Sequence, residues 1–525
     1  MGRELGRGAL SKGAAQGAPT ADLAALARGG RINFFGFVLR LLARLPFLFI
    51  AGRIYGAEEL GRFAYAVLIV EFAAQLATLG LKRGLAQQLA QTTARPHAYV
   101  VWDALLVAAL GAAALMGVLM LFPEAMFPNS QITGLEWLLP LTILALAWSD
   151  IMLAALAYRH DVGATVRARA IVEPWTISIA AFAWSFISIR DGLIIAYVLS
   201  MVGALAASAI PFVKSYGVPR GWSPAPAGLW RMTRLNLPVA AADAVEWGSR
   251  RLDIAILGLF FRPEVVGIYY VAQNVASLPA KLKTSFDPIL GPVIARNVEA
   301  GDQAAVARQV RQVGFWVIAA QLGVALSLAI PGEGVMGLVG PEFVAGTAAL
   351  AFLLFAEVAA AMAAVSEAAL IYLARLRNML ISLGMIALQA LLTVGLILLM
   401  RYEGLAEMNQ ATGPAVALLL ALGCAAVVKS RFLHRLLGAP VSGWRWPLIW
   451  ASIAAIGVGW LFTLLPPQLE WLELIAGIPA ILLAFGLVVW TKGFGPADRE
   501  LFRMRRTEIE ELSLPDPGPT RQAPK

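Results

Sequence analysis

The chain has 525 residues, of which 59% are hydrophobic and only 14% charged, with a formal net charge of +9. Soluble domains carry about 25% charged residues, so this surface cannot face water on every side and a soluble enzyme is excluded. One cysteine (Cys424, inside an apolar run and read as a small packed side chain) and three scattered histidines (His97, His160, His434) exclude a disulfide framework or a metal cluster, and no cofactor is expected.

Residues 1–30 are rich in Gly, Ala and Arg, lack the apolar core of a signal peptide, and read as a flexible cytoplasmic tail. Fourteen apolar segments follow, near 32–52, 61–81, 99–121, 135–157, 170–188, 192–213, 237–261, 265–286, 313–331, 346–373, 379–400, 411–430, 446–465 and 471–491. Each has roughly the 20 residues that a bilayer asks of a helix, so the fold class is an all-α polytopic membrane protein. The eighth contains AQNVASLPAKLKTSF and is polar for a lipid-facing helix. Residues 493–525, ending in SLPDPGPTRQAPK, read as a disordered cytoplasmic tail.

Positive charge fixes the expected orientation. With both termini cytoplasmic, the loops on the opposite side hold only Arg53, Arg62, Arg190, Arg262 and Arg401. Those loops are short, including PEAMFPNSQITG and PGEGVMGLVGPEF, so function is expected within the membrane. The basic rim then reflects topology and anionic lipid, with no nucleic-acid partner.

The phrase GRIYGAEELGRFAYA at 52–66 returns as FFRPEVVGIYYVA at 260–272. A shift of 206 residues sets Glu58 on Glu264, Gly61 on Gly267, Phe63 on Tyr269 and Arg44 on Arg250. The shift crosses six helices, an even number, and so predicts a parallel repeat. It divides the chain into an N-lobe (31–222, helices 1–6) and a C-lobe (223–435, helices 7–12) around a central cavity, with helices 13 and 14 (436–492) outside the repeat. The phrase itself reads as an outward corner, its acids and Arg marking the water boundary.

Intramembrane charge locates the candidate site. Arg40 and Arg44 lie on one face of the first span, about 12–18 Å deep at 1.5 Å per residue. The seventh span carries Glu246, Arg250, Arg251 and Asp253 near mid-depth, where each charge must meet a partner or a wet cavity. Glu246 and Arg250, four apart, are also spaced for a structural ion pair. Arginine suits phosphate, which it holds by paired hydrogen bonds while staying charged. Arg40, Arg44, Arg250 and Arg251 are therefore the candidate anion site. Glu71, Asp150, Glu173, Glu246, Asp253, Glu357 and Glu367 are candidates for ion coupling or for pairing with those arginines.

The segment AGRIYGAEELGRFAYAVLIVEFAAQLATLGLKRGLAQQLAQ resembles the opening helical pair of polysaccharide exporters and O-antigen flippases, members of the multidrug/oligosaccharidyl-lipid/polysaccharide exporter superfamily. LVGPEFVAGTAAL and GIYYVAQNV resemble that family's turn between helices nine and ten and its eighth helix. The resemblance implies alternating access by two lobes in the bacterial inner membrane. It implies a substrate of undecaprenyl-diphosphate-linked oligosaccharide, partnered by polysaccharide polymerase and chain-length machinery, and the four arginines on the diphosphate. A drug or cation exporter of the same superfamily is the first alternative. A membrane polymerase or ligase fits less well, because its large extracytoplasmic loop is missing, and a non-transporting scaffold is the third. On this reading Arg40→Ala or Arg44→Ala abolishes export while the protein stays folded and inserted. Surface polysaccharide in a complemented deletion strain is the measurement, and a normal amount would refute the role.

Overall fold

The computed structural model describes residues 45–91, 95–284, 294, 297–466 and 469–495. Arg40 and Arg44 lie outside the described residues. Within them the chain is helical and forms no strand. The medium dictates this, since a backbone in hydrocarbon must satisfy its N–H and C=O groups internally.

A turn of π-helix, Ala51–Tyr55, closes the first predicted span, and α1 (Gly56–Ala77), α2 (Leu81–Gln91), α3 (His97–Leu121) and α4 (Thr142–Tyr158) follow. Next come α5 (Glu173–Trp184), α6 (Ile189–Tyr216), α7 (Pro226–Ser249), α8 (Leu252–Phe260) and α9 (Pro263–Thr284). The remainder is α10 (Gln303–Ala329), α11 (Thr347–Leu373), α12 (Arg375–Tyr402), α13 (Gly413–Leu437), α14 (Pro447–Thr463) and α15 (Ile478–Val488). Among the described residues, nine helical stretches are long and apolar enough to cross a bilayer. Each of the fourteen predicted spans maps onto a helix or a broken pair, the first only from Leu45 onward.

Punctuation follows local chemistry. Pro226, Pro263 and Pro447 stand at helix starts, where the missing N–H has no partner to lose. Gly438 closes α13 in the left-handed conformation (φ 63°). The predicted second span, 61–81, instead breaks at Leu79 (φ 48°) and Gly80 (φ 72°) between α1 and α2. The predicted seventh span is two helices meeting at Arg250 and Arg251. The polar eighth is a true helix, and its polarity turns inward: Gln273 donates to Asp253 at 2.8 Å.

α1 to α6 pack on one another, α9 to α13 form a second group, and α14 and α15 pair together against α10. α1 and α9, the helices that open with the repeated phrase, cross at the join between the groups. A Cβ at Gly61 would lie 2.7 Å from the backbone N of Gly267, and one at Gly267 would lie 2.9 Å from the N of Gly61. Gly61 also abuts Pro263 and Gly267 abuts Ala57, which are equivalent contacts under the 206-residue shift. Small residues let two backbones touch where lipid gives no hydrophobic drive to associate.

The corner departs from its expected role in one respect. Arg62, taken as a mark of the water boundary, is only 6% exposed. It donates to Glu136 at 2.6 Å and to Glu59 at 2.8 Å, because the loop before α4 folds over it. Cys424, expected to be packed, is exposed on α13, whose other faces are taken by α11 and α12.

Gly61→Ala is expected to cost about 1–3 kcal/mol by overpacking, read as a lower melting temperature in detergent. Gly117→Ala on α3, where a Cβ meets nothing within 4 Å, is expected to leave it unchanged or raised.

Candidate functional site

The two halves face each other along one long antiparallel seam. Gly61 meets Pro263, Tyr65 meets Gly258, Phe72 stacks on Trp247 at 5.2 Å, and Gly80 meets Ala240. That register sets Glu71, half-buried on α1, level with Arg250. The seam has two ends: a corner end, near residues 53–62 and 258–267, and a basic end, near Gly80–Gln91 and Pro226–Ala240.

The break between α7 and α8 sits on this seam, between the Phe72–Trp247 stack and the glycine crossing. The Arg250 and Arg251 amides bond three residues back, to Trp247 and Gly248, which tightens and ends α7. α8 then restarts, and Asp253 in its first turn accepts from the Ile254 amide at 2.9 Å. A helix broken in this way leaves backbone polar groups near the charged side chains, as transporter sites do. The Arg250 side chain is 73% exposed and touches Glu246 only at 3.5 Å. A guanidinium this open at mid-bundle depth needs water or an anionic partner, since exposure to hydrocarbon is prohibitive.

The acids fall into separate places. Glu246 is held by Arg83 of α2 at 2.9 Å, more tightly than by Arg250. Arg83 also reaches Asp243 at 2.9 Å, so one side chain ties α2 to two turns of α7. Asp253 is buried and accepts from Tyr269 Oη at 2.9 Å as well as from Gln273, and it forms no salt bridge with Arg250 or Arg251. Asp150 takes Lys82 at 2.9 Å and Arg169, and Arg169 also donates to Glu173 at 2.8 Å. That cluster engages Asp150 and Glu173, both expected as partners for Arg40 and Arg44. Glu71 makes no ion pair with a described residue. Glu357 and Glu367 lie on α11, and Glu367 is bonded to Lys429 of α13 at 2.9 Å. The structure therefore brings Glu71, Glu246, Arg250 and Arg251 to one seam and leaves Asp150, Glu173, Glu357 and Glu367 elsewhere. Among the described residues no cluster of His, Cys, Asp and Glu could hold a metal.

The corner end is closed by more than glycine. Glu342 accepts from the Ala57 amide at 2.9 Å, Arg53 Nε donates to the Leu338 carbonyl at 2.9 Å, and Asn129 donates to the Gly258 and Phe261 carbonyls. Arg262 is paired with Glu407 at 2.9 Å, a hydrogen bond that raises the guanidinium further. The loop before α4 thus docks on the second corner, and the loop before α11 docks on the first. At the basic end the Arg83 bridge and the Gly80–Ala240 backbone approach perform the closure.

Sequence reasoning passed over Arg83, which lies between the second and third predicted spans. The signal was present in GLKRG, whose Gly80 and Gly84 are four apart and mark a close helix approach. It also passed over Lys429, placed at a loop boundary and found 3% exposed inside the bundle.

This architecture defines an all-helical, multi-pass membrane protein built of two packed helix groups. The lipid II flippase MurJ in an inward closed conformation aligns with a TM-score of 0.63 at 13% identity, over 91% of this chain and 99% of that one. An inward-facing multidrug resistance MATE family transporter of the MOP superfamily gives 0.60 at 14%, over 76% and 98%. MATE in complex with MaD5 gives 0.51 at 13%, over 79% and 96%. At such identities the shared property is the fold. No curated protein matches the chain. A family model described as polysaccharide biosynthesis protein matches residues 50–329, and the chain belongs to that family.

Arg83→Glu is expected to open the basic end by setting like charges against Asp243 and Glu246. A cysteine placed at Glu71 would then react faster with a membrane-impermeant maleimide from that side. Asp243→Arg added to Arg83→Glu is expected to slow the reaction again.

Proposed function

We propose that the chain is a flippase that moves an undecaprenyl-diphosphate-linked oligosaccharide, a repeat unit of O-antigen, capsule or exopolysaccharide, across the bacterial inner membrane. The observation that carries this reading is the pair Arg250 and Arg251, at a helix break on a seam between two lobes, with the Arg250 side chain exposed. A diphosphate presents the oxygens that guanidinium groups bind in pairs. Membership of a polysaccharide biosynthesis family supports a glycan as the remainder of the substrate. Arg40 and Arg44, on the first span, would complete the anion site, and the acyl chain would stay in the bilayer.

In this reading the chain moves its substrate and makes no covalent change to it. The basic end faces the cytoplasm, as do both termini. The lobes rock about the seam, with the Arg83 bridge opening to admit the headgroup and the corner-end contacts opening to release it. Glu71, level with Arg250, would compete for the arginine when the substrate leaves. The acids away from the seam are candidates for coupling to an ion or to the membrane potential. The flippase would hand its product to a polymerase and its chain-length partner.

A cation-coupled drug exporter is the second reading, favoured by the acids Glu71 and Glu246 on the same seam. Binding separates the two. Purified protein in nanodiscs is expected to bind an undecaprenyl-diphosphate sugar, and Arg250→Ala with Arg251→Ala is expected to weaken it by about tenfold or more, the loss of one to two charged hydrogen bonds. Binding of a lipophilic cation instead, lost in Glu246→Gln and unaffected in the double arginine variant, would overturn the flippase reading.

A further inference from the structure

The polar eighth span keeps its polarity on the face it leaves free. Between Gly267 and Pro279 of α9, the partly exposed residues are Tyr270, Gln273, Asn274, Ser277 and Leu278, and all the others are buried. Spacings of three and four set Tyr270, Gln273, Asn274 and Ser277 along one stripe. α12 shows what lipid asks of a free face: Leu376, Leu380, Leu391 and Leu398 are exposed there, while Asn378, Gln389 and Thr393 are buried. The free face of α9 has the opposite chemistry. It lies about 10–20 Å along the helix from the corner, at 1.5 Å per residue, where polar groups need water or a polar ligand.

The bonds inside the stripe decide which atoms it offers. Gln273 Nε2 donates to Asp253 at 2.8 Å, Asn274 Nδ2 to the Tyr270 carbonyl at 2.8 Å, and Ser277 Oγ to the Asn274 carbonyl at 2.7 Å. Those partners only accept, so both amides are fixed in orientation and Gln273 Oε1 and Asn274 Oδ1 are left over as acceptors. Glu71 adds a carboxylate at the same height. α1 and α9 leave the Gly61–Gly267 crossing in one direction, and Glu71 and Ser277 each stand ten residues beyond it. Tyr197 of α6 is buried within electrostatic reach of Glu71 and Tyr270, and its hydroxyl has no hydrogen-bond partner. A buried hydroxyl without a partner points to a water or a ligand oxygen.

We propose that Tyr270, Gln273, Asn274 and Ser277, with Glu71, bind the first sugar ring of the lipid-linked glycan, and that they select a ring rich in hydroxyl or acetamido N–H donors over an acidic one. The inference rests on the flippase reading and assigns the sugar end of that site. A sugar bonded directly to a diphosphate needs a subsite beside the one that holds the diphosphate. The stripe has that position: Asp253, two residues beyond Arg251, accepts the Gln273 hydrogen bond.

The side chains divide the labour by charge. The four on α9 are neutral, so they give a diphosphate no counter-ion and leave it to the arginines. Tyr270 offers a flat apolar face to the ring, and the Gln273 and Asn274 oxygens accept from its hydroxyls or from an N–H, a few placed polar groups on an otherwise apolar wall. A carboxylated ring brings an acceptor where the site already holds acceptors, and sets like charge against Glu71 and Asp253. Such a mismatch rejects a ligand more sharply than a missing contact does.

The test uses the full-length protein in nanodiscs and three probes: undecaprenyl diphosphate alone, the same lipid carrying one N-acetylglucosamine, and the same lipid carrying one glucuronic acid. The wild type is expected to bind the N-acetylglucosamine lipid about tenfold more tightly than the bare lipid, the worth of one to two added hydrogen bonds. It is expected to bind the glucuronic acid lipid no more tightly than the bare one. Asn274→Leu and Tyr270→Ala are each expected to bring the tenfold ratio close to one. Asn274→Lys, which replaces an acceptor by a cationic donor, is expected to favour the glucuronic acid lipid over the N-acetylglucosamine lipid. A wild-type ratio near one, a tenfold ratio that survives in both Asn274→Leu and Tyr270→Ala, or an unchanged preference in Asn274→Lys overturns the proposal. Each of those results leaves the flippase reading intact, because the bare lipid is still bound. Binding of none of the three lipids overturns the flippase reading, and the sugar subsite with it.

Discussion

Everything in the molecule hangs on the approach of two backbones at Gly61 and Gly267. Lipid offers helices no hydrophobic reason to associate, so contact depends on close packing and on the bonds that close packing permits. A side chain at either position would overlap the other helix, and the crossing would open. The contact pairs Gly61 with Pro263 and Gly267 with Ala57, which are the same positions of the repeat. The crossing is therefore an isologous contact between two halves of one chain, and a natural axis for motion between them.

The seam that runs from this crossing is held by different contacts at its two ends. At the corner end, backbone meets backbone and each half's loop reaches over to bond the opposite corner. At the basic end, the tie is the bidentate Arg83 bridge, whose arginine is largely exposed and therefore screened by water and salt. The pair with half-exposed Glu246 is weak, whereas Asp243 is buried and keeps its hold on Arg83. Between the two ends lie Arg250 and Arg251, at a break where α7 gives up its helical hydrogen bonds in mid-bundle. In the flippase reading the basic end admits the headgroup, and the break holds it.

Much of the architecture was legible in the sequence because the bilayer leaves few choices. Apolar length marks helices, and an even-numbered offset in a repeated phrase forces two halves of the same orientation. The limits were equally physical. Hydropathy averages over a window, so the break at Arg250–Arg251 read as part of one continuous span. Charge in a loop reads as topology, so Arg83 passed for a surface cation until the fold set α2 against α7. Pairing is the hardest inference: among the described residues Asp150 is engaged by Lys82 and Arg169, and Glu173 by Arg169, cations that sequence spacing did not single out. Carboxylates settle on whichever cations the packing brings within reach.

The sequence by itself determined the helical class, the span order and the repeated phrase, because these depend on composition and local spacing. Only the tertiary structure decided that the repeated glycines touch one another, that Arg62 and Lys429 are buried, and that α12 turns its polar face inward. Those facts depend on which surfaces meet across hundreds of residues. A residue's own neighbours in the chain carry no record of that meeting.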